Sequence, residues 1–395
     1  MTSFVNLKSK LLLNNDNGAS SIYDPVIIYC IILLIGVGFV MVTSASMPVA
    51  ERLYNNPFHF TVRHGIFLGL SFLYLAVSVS LPMSWWKKAN PYLLLVGIAL
   101  LVLVLIIGRE VNGSTRWIGI GRFNMQVAEI AKLYFFSYLA GYLVRKRTEV
   151  KENFKGFIKP IAVFVVYAGL ILMQPDLGTV VVMFVTTVGL LFLAGAQLWQ
   201  FFMLLMAGGG LIGVLIVFSP YRWARVTSFW DPWDDPFGKG YQLVQSLMAY
   251  GRGSWWGQGL GNSIQKQEYL PEAHTDFIFS VIAEENGFVG VLSILIVLCV
   301  LVFRALIIGK KALQCGKEYE GYFALAIGIW FAFQTMVNIG ASAGILPTKG
   351  LTLPFISYGG SSMLMMTIAI GILLRIDFEV KMATRQATSG GRKKQ

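Results

Sequence analysis

The apolar positions of the chain fall in long unbroken runs, and polar residues are confined to the gaps between them. This pattern predicts buried or membrane-crossing helices rather than amphipathic helices or alternating strands. About twenty helical residues cross a hydrocarbon core of roughly 30 Å. Ten runs of this kind lie near 25–45, 58–80, 91–108, 127–144, 158–173, 177–195, 200–218, 277–303, 321–343 and 360–376. The expected fold is an all-α polytopic membrane protein with ten transmembrane helices over 25–377. A polar segment (1–24) precedes it, with no pattern of a cleaved leader. A basic tail (378–395), read as unstructured, follows it.

Three gaps carry more than a connection needs. The largest, 219–276 between the seventh and eighth runs, holds Trp223, Trp230, Trp233, Trp255 and Trp256. Tryptophan favours the headgroup zone, so this loop is expected to lie on the membrane. Residues 241–250 within it read as a short amphipathic helix. Between the fifth and sixth runs stands Gln174-Pro175-Asp176-Leu177-Gly178-Thr179. The apolar stretch before it, Ile161 to Met173, makes only about 20 Å of helix. Gln174 and Asp176 therefore either line a protein cavity below the surface or form a tight hairpin in which Asp176 caps the sixth helix. Across the end of the ninth run, the gap after it and the start of the tenth, Asn338, Ser342, Lys349, Ser357, Tyr358, Ser361 and Ser362 gather around glycines and prolines in a broken, polar segment.

Composition supports a membrane protein: 56% of residues are hydrophobic and 13% charged, against about 25% charged in soluble domains. A net charge of +12 could point to nucleic acid. Its distribution argues otherwise. Loops on the side of the termini carry 20 Lys and Arg and the opposite loops 10, the bias expected when both termini are cytoplasmic. No nucleic-acid partner is expected. Cys30, Cys299 and Cys315 have neither a CxxC nor a metal-ligand spacing, so neither a disulfide nor a zinc site is indicated.

That orientation puts 219–276 outside and sets its last part, Glu268 to Ser280, at the external mouth of the eighth helix. Two glutamates, His274 and Asp276 stand there at a membrane edge, where an ionisable group is by default a functional candidate. Asp276 is placed at the start of the helix, whose dipole favours a carboxylate. His274 is the rival base. Glu284 lies about 12 Å deeper and about 80° around the helix, within reach of the same cavity as a candidate second carboxylate. Glu285 points the opposite way and needs another partner. In the third loop Arg109, Arg116 and Trp117 stand among glycines. They read either as a phosphate seat or as interfacial side chains. Glu129 and Lys132 are three apart in the fourth helix and can pair on one face, as a structural pair or a cavity-lining one.

Four separated motifs carry a family resemblance: Arg116-Trp117-Ile118, the Gln174–Thr179 element, the Pro271–Phe279 run, and Pro354–Ser362 reading P-F-I-S-Y-G-G-S-S. With them the chain resembles the SEDS family (shape, elongation, division and sporulation) across 25–377. The Lys349–Pro354 and Thr43–Met47 stretches are more similar to its division-type than to its elongation-type members. The resemblance implies a peptidoglycan glycosyltransferase that joins the disaccharide of one lipid II molecule to the next and releases undecaprenyl pyrophosphate. It implies a class B penicillin-binding protein and other division membrane proteins as partners, and a place in the bacterial inner membrane, at the division septum. It makes Asp276 the essential acid. It matches Trp117, Glu129, Lys132 and Asp176 to family site residues, and together with Arg109, Arg116, His274, Lys349 and Ser357 these are the candidate substrate-binding residues.

The chemistry fits one carboxylate. A glycoside hydrolase needs an acid for a poor leaving group as well as a second carboxylate. Lipid pyrophosphate leaves without a proton if cationic side chains, or a divalent cation such as Mg2+ or Mn2+, neutralise it. One base for the acceptor hydroxyl is then enough. A lipid II flippase or transporter, and a scaffold without chemistry, are the rival classes. Transport sites lie near the midplane, and Lys132 and Glu284 are the residues that would serve one.

Overall fold

The computed structural model describes residues 22–111, 114–120, 123–347 and 350–392. Thirteen α-helices occur among them: α1 (Pro25–Tyr54), α2 (His59–Ser80), α3 (Met83–Ile107), α4 (Val127–Arg145), α5 (Arg147–Glu152), α6 (Phe154–Leu172), α7 (Leu177–Leu193), α8 (Leu198–Val217), α9 (Pro220–Trp230), α10 (Tyr241–Gly253), α11 (Ile278–Gln314), α12 (Glu318–Ser342) and α13 (Gly360–Arg392). Each of the ten expected runs coincides with one of these. Eight of the helices are long and apolar enough to cross a membrane, and α7 is apolar but shorter, with 17 residues. The fold is all-α and multi-pass.

Several boundaries differ from expectation for local reasons. Helix α3 starts at Met83 and carries Pro91 inside it, so the proline that marked the start of the run does not begin the helix. Helix α6 begins at Phe154 and reaches 19 residues, because Lys155, Lys159 and Pro160 are all taken into it. Helix α13 runs on through Arg392 where an unstructured tail was expected from 378. Charge pairs one turn apart support the extension: Arg375 with Glu379 at 2.9 Å and Lys381 with Asp377 at 2.7 Å.

The third loop is not irregular. It folds into a three-stranded antiparallel sheet, β1 (Arg109–Val111), β2 (Ser114–Ile120) and β3 (Phe123–Gln126), in the order β1-β2-β3. Trp117 in the central strand pairs with Arg109 on one side and with Gln126 on the other.

Helix α11 is broken where a continuous span was expected. Gly287 stands at φ 67°, ψ −170°, a conformation open in practice only to glycine. A Cβ there would lie 2.3 Å from the Gly257 nitrogen. The 254–259 loop passes backbone to backbone at the break and replaces the lost helical bonds. Gln258 and Gly259 donate to the Glu284 and Glu285 carbonyls at 2.9 and 3.0 Å. Phe288 and Val289 donate in turn to Ser254 and Trp255 at 2.9 and 3.2 Å. Interrupted helices are tolerated inside a membrane where protein re-satisfies the freed groups.

Among the eight candidate spans α4 and α12 are the most enclosed and α8 the least. The enclosed pair carries buried polar side chains: Glu129, Lys132 and Ser137 on α4, and Gln334, Thr335, Asn338 and Ser342 on α12. The second half of the 219–276 loop folds into this body rather than lying flat. Helix α10 buries Leu243, Val244 and Ala249. Ser246 bonds Ser280 at 2.6 Å and donates to the Ser342 carbonyl at 2.5 Å. The five loop tryptophans stay exposed.

Candidate active site

The segment 350–362 connects the elements that carry the expected site residues. Pro354 and the glycines of the segment prevent a helix until Gly360. Ser357 fastens the turn: its Oγ accepts from the Leu353 nitrogen at 2.8 Å, and its own nitrogen donates to the Leu353 carbonyl at 3.1 Å. Phe355 sits at φ 64°, a region that costs a non-glycine residue about 1–3 kcal/mol. Burial of its ring, edge-on to Phe331 at 5.5 Å, holds it there. Helix α1 reaches the same backbone only because residue 38 is glycine. A Cβ at that position would be 2.6 Å from the Phe355 carbonyl oxygen.

Asp276 belongs to the turn before α11, not to its first turn. The N-cap is Phe277, and Glu272 at φ 55° accepts from Thr275 and Phe277 at 3.1 and 3.2 Å, closing the turn. Two contacts fix the aspartate. Asn338 Nδ2 donates both to the Asp276 carbonyl at 3.0 Å and to the Leu351 carbonyl at 2.6 Å, tying the two chain segments together. Gly350 faces the half-buried carboxylate, and a Cβ there would be 3.3 Å from Asp276 Oδ2.

His274 is buried, with Phe60 at 4.9 Å and Tyr358 at 5.6 Å from its ring. Its carbonyl accepts from the Tyr358 nitrogen at 3.0 Å. Burial lowers the imidazole pKa below 6.5, against a smaller opposing pull from Glu272. His59 and His64 join the same aromatic group, so all three histidines of the chain gather there.

The Glu129–Lys132 pair forms on one face as the spacing predicts, at 3.0 Å and buried. It is not alone. Lys132 Nζ also donates to Gln334 Oε1 at 3.2 Å and stands 4.5 Å from the Trp330 ring centre. Gln334, a polar residue inside the ninth run, could have been noticed there.

The sheet docks on two site elements. The Gln126 nitrogen donates to Ser361 Oγ at 2.9 Å, and Gln126 Nε2 reaches Asp176 at 3.3 Å. Arg116 donates through Nε to the Gln174 carbonyl at 2.8 Å and through Nη2 to the Pro175 carbonyl at 2.6 Å. Asp176 caps α7, accepting from the Thr179 nitrogen at 3.1 Å and Thr179 Oγ1 at 2.9 Å. Asp176 thus forms the hairpin cap, and both Gln174 and Asp176 are buried within protein. Arg109 is exposed and lies against Gly119, with Trp117 beside it in register. Lys349 lies outside the described residues.

The expectation for Glu284 is corrected. Its carboxylate accepts from the Ile264 and Gln265 nitrogens at 3.0 and 3.2 Å and from Ser263 Oγ, with Arg252 at 3.5 Å. It anchors the loop rather than facing the Asp276 carboxylate, because Asp276 is off the helix and the helical phase between them does not hold. Glu285 finds its other partner in Lys266 at 2.7 Å, with Ser44 at 2.8 Å. Among the described residues no group of three His, Cys, Asp or Glu side chains is placed to hold a metal ion. A Mg2+ shared between one carboxylate and phosphate oxygens would need no such group.

The sheet, the Gln174–Thr179 turn, the re-entering loop and the 350–362 segment thus meet at one end of the bundle. This is the architecture of a polytopic membrane protein whose candidate polar residues meet at one end. The family of FtsW, RodA and SpoVE, described as cell cycle proteins, matches residues 24–382, and the chain belongs to it. The chain is 73% identical to a probable peptidoglycan glycosyltransferase FtsW of Pseudoalteromonas translucida, covering 100% of this chain and 98% of that one. It is 54% identical to one of Escherichia coli O6:H1, covering 94% and 90%. Among solved structures it is similar to a chain of a peptidoglycan synthase complex coordinating polymerization and crosslinking, with a TM-score of 0.73, 27% identity, and 91% and 98% covered. It is also similar to the rod shape determining protein RodA of Thermus thermophilus, with a TM-score of 0.66, 26% identity, and 90% and 96% covered.

Proposed function

We propose that this protein is a peptidoglycan glycosyltransferase that polymerises lipid II at the outer face of the inner membrane during septal wall synthesis, with Asp276 as its general base. The observation that carries the base assignment is the position of the Asp276 carboxylate. It is half-buried at the polar mouth of the bundle, against a bare glycine, on a backbone held by Asn338. The carboxylate takes the proton of the acceptor hydroxyl as its oxygen attacks the anomeric carbon of the donor sugar. The bond from that carbon to the pyrophosphate breaks, and attack from the opposite face inverts the centre. A positioned base contributes about 10²–10⁴-fold to such a step.

His274 suits support better than proton abstraction, since its ring is enclosed by Phe60 and Tyr358. Arg109, exposed beside Trp117, is the cation assigned to the leaving pyrophosphate. The flippase reading loses its two supports, because Lys132 and Glu284 are both taken up by internal bonds. A class B penicillin-binding protein is the expected partner, in keeping with the likeness to a synthase complex that couples polymerization and crosslinking. The test is polymerisation of labelled lipid II by the purified protein, with and without that partner, beside a flipping assay on the same sample. Polymer without flipping supports the proposal, and flipping without polymer overturns it.

A further inference from the structure

The one fully buried lysine of the described spans does no work that its position allows at the substrate. Lys132 is 0% exposed, and its ammonium is enclosed by Glu129 Oε1 at 3.0 Å, Gln334 Oε1 at 3.2 Å and the face of Trp330 at 4.5 Å. To touch a pyrophosphate it would have to leave all three, stranding a buried carboxylate.

Its bonds lead instead toward Asp276. Lys132 Nζ and Trp330 Nε1 are donors only, and both aim at Gln334 Oε1, at 3.2 and 2.7 Å. Together they force the Gln334 amide into one orientation, with Nε2 turned toward the 350–362 segment. That Nε2 donates to the Thr352 carbonyl at 2.9 Å. The Thr352 hydroxyl bonds Ser362 Oγ at 2.8 Å. One residue earlier, the Leu351 carbonyl accepts from Asn338, which also holds the Asp276 carbonyl. Gly350, next in line, is the residue against the Asp276 carboxylate. Two amides on α12, one turn apart, thus clamp two consecutive residues, Leu351 and Thr352, next to the glycine beside the aspartate, and Lys132 sets the orientation of one of them.

We infer that Lys132 is a positioning residue: it acts through Gln334 and Thr352 to hold the Gly350–Thr352 backbone in register with Asp276, and it does not bind the lipid pyrophosphate. The inference rests on Asp276 being the base. Misplacement of a reacting group by about 1 Å costs on the order of 100-fold in rate.

The discriminating variant is Gln334→Glu. It still accepts from Lys132 and Trp330 and leaves the lysine charge in place, but it presents an oxygen where the Thr352 carbonyl needs a donor. The assay is lipid II polymerisation by the full-length protein with its partner, resolved into kcat and KM. Hydrogen exchange of the 350–357 amides is measured on the same samples. Gln334→Glu and Lys132→Met are each expected to lower kcat by about 10- to 100-fold, with KM within about twofold. Their effects are not additive when combined, and amide exchange over 350–357 speeds up in both. Glu129→Gln/Lys132→Met removes both buried charges together and serves in place of Lys132→Met if that variant does not fold. Unchanged kcat and exchange in Gln334→Glu, or a loss in the lysine variants confined to KM, overturns the inference. Asp276→Asn in the same assay tests the base assignment separately. Full turnover there refutes that assignment, while the exchange readout still decides whether Lys132 holds the segment.

Discussion

Replacing Lys266 with methionine removes a cation that holds the re-entering loop to the broken helix. Lys266 and Glu285 are 6% and 1% exposed, and their 2.7 Å contact is bridged on α1 by Ser44, which accepts from the lysine at 2.8 Å and donates to the carboxylate at 2.8 Å. Methionine preserves most of the side-chain volume, so the main consequence is a carboxylate left buried with one hydroxyl. Removing one partner of a buried pair costs about 3–5 kcal/mol. Removing both charges is often close to neutral. Lys266→Met is therefore expected to lose about 3–5 kcal/mol, and Lys266→Met/Glu285→Gln to recover most of it. Denaturant unfolding in detergent, followed by tryptophan fluorescence, measures both. The loop carries Trp255 and Trp256, exposed beside the break. Two results would refute the reasoning: a single variant as stable as the wild type, or a double variant as unstable as the single one.

Two further outcomes follow from the same geometry. Gly287→Ala places a Cβ 2.3 Å from the Gly257 nitrogen at a glycine-only conformation and is expected to cost at least about 2 kcal/mol, with faster proteolysis of the 254–259 loop as the check. Burial keeps the folded-state pKa of His274 below 6.5. The unfolded chain therefore takes up a proton first as pH falls, and stability is full above about 6.5 and declines below it. Unfolding measured from pH 8 to pH 5 should show that decline, and His274→Phe should lessen it.

The positions of the long helices were legible because a bilayer imposes one demand, an apolar run of sufficient length, and eight of the helices meet it, while α7 is apolar but shorter. The Glu129–Lys132 pair was equally legible, since three residues on a helix fix a shared face. The break at Gly287 was not. A glycine inside an apolar run reads as a tolerated residue, and the groups that replace its helical bonds lie some thirty positions away, in the 254–259 loop. The placement of Glu284 failed for the same reason, because a helical phase argument needs both residues on the helix and Asp276 is not. The three-stranded sheet was not legible because its strands are short and show no clean alternation of apolar and polar residues. Arg116 turns out to bind backbone carbonyls of the Gln174–Pro175 turn, a contact between distant segments that no local pattern carries. The motifs named the residues of the site, and the fold showed that many of them hold one another.

The central claim is that one carboxylate does the proton transfer. Its most direct test is polymerisation of labelled lipid II by purified Asp276→Asn, set beside lipid II binding by the same sample. An amide of the same shape keeps the fold and the binding but cannot take the acceptor proton. The account predicts bound lipid II and no glycan strands. Near-normal chain synthesis by Asp276→Asn would contradict it.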